Sequence, residues 1–170
     1  MGLCMLLAVL HRRQALLFLA AVALDIGAHW AQMYASLLAK AASHKDVAAA
    51  TSPLLRLYYS RRLFMGALCV GAEVFYLCLY ALAFPPKAHG SLTRMLVGPK
   101  TVAALPPAAV ASINDALSAV GLGALAVLPA GNLSLARLLA LVAAPLWALK
   151  QLTNVLQGQF AAQRLVAADA

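Results

Sequence analysis

The sequence predicts an all-α integral membrane fold, a bundle of apolar helices, on three observations. First, 64% of the 170 residues are hydrophobic and only 11% are charged, with a mean hydropathy of +0.86. Soluble domains are roughly a quarter charged. Second, apolar runs at about 15–38, 63–84 and 133–156 are each long enough to cross a hydrocarbon core of about 30 Å. Third, the basic residues collect at the ends of these runs, where they act as topology signals and meet anionic lipid headgroups. The net charge of +8 therefore carries no argument for nucleic acid, because no basic face with interleaved aromatics accompanies it. The length is that of one domain.

The chain opens on a short apolar run, Met1 to Leu10, whose rise of about 15 Å is half a hydrocarbon core. It reads as a partial span. His11-Arg12-Arg13-Gln14 is a polar turn, and Ala15 to Leu38 is the first complete span, with Trp30 and Tyr34 placed to reach an interface. Within it Asp25, His29, Gln32 and Ser36 follow at helical spacing, so they form one polar stripe that should face a neighbour or a water-filled cavity. Lys40 to Arg62 is a loop holding Lys40, Lys45, Arg56, Arg61 and Arg62 against Asp46 alone. Ser52-Pro53 breaks it, and a short interfacial helix is expected from Leu54. The charge bias places this loop in the cytosol, with Arg12 and Arg13 on the opposite side and the tail after 157 back in the cytosol.

Leu63 to Phe84 carries one acid, Glu73, with Tyr76 and Tyr80 on the same face, and Pro85-Pro86 ends it. Residues 85–132 are rich in proline and glycine. Their weak apolar run from Ala116 to Leu128 is too short to span, so this stretch is expected to be a loop or insertion with an interfacial or re-entrant helix. Leu133 to Leu156 is the last span, kinked at Pro145. Lys150, Asn154 and Gln157 make a second polar stripe, and a separate tail helix follows Gly158. Cys4, Cys69 and Cys78 lie in apolar segments and read as reduced, packed thiols. No secretory signal pattern is present.

Ionisable residues inside spans are costly and hence candidate sites. Asp25, Glu73 and Lys150 admit two readings: a functional centre, or an ion pair of Lys150 with Asp25 or Glu73 that holds the bundle. Asp25 and His29 are a weak metal-ligand signal, and a hydrogen bond between helices explains them more simply. Lys45, Arg56 and Tyr58 gather basic and phenolic groups on one membrane face. Arginine binds phosphate bidentately and tyrosine hydrogen-bonds polyol hydroxyls, so these three are the candidate substrate contacts. No residue presents itself as catalytic or as a metal ligand.

Five segments, LDIGAHW, YASLLAKAASHKD, LLRLYYS-RR, GAEVFYLCLYALAF and APLWALKQLTNVL, resemble successive parts of eukaryotic phosphatidylinositol synthases, members of the CDP-alcohol phosphotransferases. The resemblance covers about 1–84 and 134–169. It departs at Ala28, where the family usually has serine, at Ala72 before Glu73, where it has asparagine, and at Ser52, again asparagine. It implies the second half of a six-helix membrane enzyme of the endoplasmic reticulum or Golgi. That enzyme joins CDP-diacylglycerol to myo-inositol and releases CMP, with magnesium or manganese. The family's metal-holding pattern, D-x2-D-G-x2-A-R-x8-G-x3-D-x3-D, does not occur in these residues. The resemblance therefore implies a C-terminal portion, inactive alone, whose alanine-rich helices suit a homodimer. The alternative reading is a non-catalytic helix bundle that packs beside a full-length synthase.

Overall fold

The computed structural model describes residues 2–38, 52–84, 103–104, 106–119 and 132–169. The turn holding Lys45 and most of the 85–132 stretch lie outside the described residues. Helices α1 (Gly2–Leu10), α2 (Ala15–Leu38), α3 (Pro53–Ser60), α4 (Arg62–Leu82), α5 (Pro107–Ala119) and α6 (Leu135–Asp169) account for nearly all of them. A short 3-10 turn, Arg12–Gln14, joins α1 to α2. Strands β1 (Ala103–Ala104) and β2 (Asn132–Leu133) form one minimal antiparallel pair. An all-α membrane bundle is thus the observed class.

α2, α4 and α6 are each long and apolar enough to cross a membrane. What separates them from soluble core helices is the direction of their apolar faces. Leu16, Ile26, Leu37, Leu63, Val70 and Val142 are exposed, while Gln32, Lys150, Thr153, Asn154 and Gln157 are buried. A water-soluble protein cannot expose that much apolar surface, whereas lipid favours apolar residues outside and paired polar residues inside.

One sequence boundary moves. The last helix does not stop near Leu156 but runs unbroken through Gly158 to Asp169. Gly158 packs against Ala28, at 3.7 Å from the position its Cβ would take, so its small size serves helix approach rather than termination. The helix described in the 85–132 stretch is Pro107–Ala119, and most of the apolar run from Ala116 to Leu128 lies outside the described residues. Proline fits a first helical position, where its fixed φ is preorganised and its missing N–H costs nothing.

The chain divides into two compact units, Met1–Leu19 with Glu73–Ala144, and Ala20–Ala72 with Pro145–Ala170. The first has an apolar core of Cys4, Leu7, Phe18, Phe75, Leu79, Leu117 and alanines of α6. Within it the His11 Nε2 atom lies 3.4 Å from the Leu79 carbonyl. The second unit mixes Val22, Ala28, Leu55, Leu68 and Ala161 with the buried polar residues named above. It holds the candidate site.

Candidate functional site

The second unit is built around a polar seam on α6. Lys150, Asn154 and Gln157 recur at four and three residues, which stacks them on one helix face. All three are buried, at 7%, 0% and 1% exposure. Lys150 Nζ donates to Asp25 Oδ1 of α2 at 3.1 Å. Asn154 Nδ2 donates to the same oxygen at 2.8 Å, and Lys150 also donates to Asn154 Oδ1. The three side chains close a triangle in which each satisfies the others. Of the two readings left open by the sequence, the ion pair of Lys150 with Asp25 is the one formed. Glu73 is exposed and has no ion pair among the described residues.

The α2 stripe divides in use. Gln32 and Ser36 are buried, and the Ser36 hydroxyl donates to the Gln32 carbonyl of its own helix at 2.8 Å. His29, by contrast, is exposed, and its Nδ1 donates to the Asp25 backbone carbonyl at 2.7 Å. A carbonyl only accepts, so Nδ1 carries the proton. The expected bond between helices is therefore replaced by one within α2.

One turn along α6, Gln157 Nε2 donates to the Tyr59 hydroxyl. Tyr59 belongs to α3, which Ser52 caps through a bond from Leu55 N–H and which Pro53 starts. Leu55 and Tyr58 point inward, with Leu55 against Phe160 of α6. The Tyr58 hydroxyl lies 3.7 Å from Cys69 Sγ, and Lys150 Nζ stands 5.9 Å from its ring centre, within cation–π range. Of the three sequence-stated substrate contacts, Arg56 is exposed, Tyr58 is 3% exposed, and Lys45 lies outside the described residues. Tyr59, the residue that ties α3 to α6, went unpaired with Gln157 in the sequence. Adjacent tyrosines lie about 100° apart on a helix, so only the packing direction decides which one meets the seam.

Burial pushes the Tyr59 phenol up to about 12. Burial raises Tyr58 further, helped by its contact with Cys69. Both are neutral across the physiological range. Their folded values exceed the ordinary 10.0, so the stability they supply is intact below 10.0 and is lost as pH rises through about 12. A phenolate absorbance titration of the folded chain should leave Tyr58 and Tyr59 protonated above pH 10.0, with unfolding accompanying their release. Loss of no late-titrating phenol in the Tyr58→Phe/Tyr59→Phe variant would contradict this burial.

Magnesium or manganese, implied by the family resemblance, finds no fitting donor set in this part of the chain. No three of His, Cys, Asp and Glu gather among the described residues. Asp25 Oδ1 is already engaged by an ammonium and an amide, which opposes a second cation. The arrangement can brace helices and orient α3, but it holds no nucleophile–base pair.

No family profile and no solved structure matches the chain. Among known proteins, it is 32% identical over 167 residues to a CDP-diacylglycerol–inositol 3-phosphatidyltransferase of Schizosaccharomyces pombe, covering 98% of this chain and 60% of that protein. It is 52% identical over 71 residues to a probable CDP-diacylglycerol–inositol 3-phosphatidyltransferase 2 of Arabidopsis thaliana, covering 42% and 32%. With the Saccharomyces cerevisiae protein of that name it shares 40% over 99 residues, covering 58% and 45%. The chain is thus similar to CDP-diacylglycerol–inositol 3-phosphatidyltransferases of plants and fungi, and it spans 32% to 60% of the length of these three relatives.

Proposed function

We propose that this chain forms part of a phosphatidylinositol synthase of the endoplasmic reticulum or Golgi membrane. The observation that carries the reading is an alignment with the Schizosaccharomyces pombe relative along 98% of the chain. In the reaction an inositol hydroxyl oxygen attacks the phosphorus of the phosphatidyl group. The P–O bond to CMP breaks, the hydroxyl proton passes to a base, and CMP departs. Neither the base nor the magnesium or manganese that the family resemblance implies is assigned to a residue of this chain.

What these residues supply is binding and position. Arg56, with Lys45, is the candidate contact to substrate phosphate, because a guanidinium meets two phosphate oxygens at once. Tyr58 backs Arg56 from the buried side of α3. The Asp25–Lys150–Asn154 triangle and the Gln157–Tyr59 bond brace α2, α3 and α6 beneath it. CDP-diacylglycerol and myo-inositol are the substrates in this reading, and homodimerisation is compatible with it.

Labelled inositol incorporation in membranes tests the proposal. The chain alone, given CDP-diacylglycerol and manganese, is expected to form no product. Coexpressed with the part of the Schizosaccharomyces pombe relative that lies outside the alignment, it is expected to form phosphatidylinositol. Failure of both arms with stable association would leave a non-catalytic packing partner.

A further inference from the structure

α3 and its joint with α4 present charge where a membrane surface would meet it. Arg61 alone separates the two helices, in extended backbone with its N–H on the Leu57 carbonyl. The chain therefore turns sharply at the point where a membrane-crossing helix begins, since α4 starts at Arg62. The inward side of α3 is committed to Phe160 and Gln157. Its outward side and the joint expose Arg56, Leu57, Arg61, Arg62 and Leu63, with Leu57 at 43% and Leu63 at 91%. No acidic residue lies between Asp46 and Glu73, so nothing in this segment neutralises the arginines. Interleaved leucine and arginine at the start of a span is the pattern of a surface that seats acyl chains and phosphates together.

We propose that the α3–α4 joint is a contact site for anionic phospholipid headgroups, held chiefly by Arg61 and Arg62. It is independent of the catalytic reading, which uses Arg56. Each arginine near a membrane surface favours anionic lipid by about a fivefold factor, and Arg61 and Arg62 are adjacent and both exposed at the joint. Neutral lipid offers a phosphate already paired with its own cation and gains less.

The test uses the full 170-residue chain in phosphatidylcholine vesicles with spin-labelled phosphatidylglycerol, which is neither substrate nor product of the proposed reaction. Wild-type chain is expected to prefer phosphatidylglycerol over phosphatidylcholine by about fivefold or more at low salt, with the preference shrinking as salt is added. Arg61→Gln/Arg62→Gln should bring it close to parity, and Arg61→Lys/Arg62→Lys should keep it. Soluble glycerol phosphate should not compete. Equal association of both lipids with wild type, a preference indifferent to salt, a preference surviving in the glutamine variant, or displacement by soluble glycerol phosphate would each overturn the proposal. If the glutamine variant does not insert, the salt and glycerol phosphate arms on wild type decide it.

Discussion

Asp25→Ala is expected to destabilise the second unit by about 3 kcal/mol or more, and to do so more than Lys150→Ala. Removing one member of a buried pair leaves the other charged and uncompensated. The two losses differ because the two sites differ. The Lys150 side chain is 9% exposed and would keep only uncharged partners, Asn154 and the Tyr58 ring. Asp25 is 25% exposed and would retain the Asn154 amide at 2.8 Å, so its stranding costs less. The double change to apolar residues of similar size should recover most of the loss, since a buried pair and a packed apolar pair are often nearly equivalent. Thermal melting in one detergent, with the lipid-facing Ile26→Ala as control, separates these outcomes. Equal melting of Asp25→Ala and the control would mean the triangle braces nothing.

Gly71→Ala is the second large effect. A Cβ at Gly71 would lie 2.6 Å from Leu146 Cβ, the root of that side chain, so rotation about χ1 cannot relieve the contact. Either α4 or α6 must yield. Overpacking of this kind costs about 1–3 kcal/mol, and in membranes close helix approach at small residues is itself the main attraction. Gly66 is the internal control. It lies in the same helix with nothing within 4 Å, so Gly66→Ala should be neutral or stabilising by up to about 1 kcal/mol through helix propensity. Parity between the two variants would place the α4–α6 contact elsewhere.

The fold class was legible because lipid imposes it: long apolar runs flanked by basic residues admit little besides membrane helices. The α6 polar stripe was legible for the same reason, since Lys150, Asn154 and Gln157 at helical spacing must find partners within the protein. Which partners they find was not. Asp25 and Glu73 looked alike in sequence as lone acids in spans, and only the packing of α2 on α6 selects Asp25. His29 shared the Asp25 stripe, yet a local carbonyl satisfies it, an option that spacing does not rank against a neighbour. Gly158 was read as a boundary. It instead serves helix contact. The candidate substrate contacts remain the least determined by sequence, because an exposed residue such as Arg56 on α3 is placed by surface geometry rather than by periodicity.

The central proposal, that this chain forms part of an inositol phosphatidyltransferase, is tested most directly by coupling CMP release to inositol. The reconstituted pairing of this chain with the part of the Schizosaccharomyces pombe relative outside the alignment is assayed with CDP-diacylglycerol, with and without myo-inositol. The account predicts that CMP appears only when inositol is present, in equal amount to the phosphatidylinositol formed. CMP release indifferent to inositol, or none from an associated pair, would contradict it.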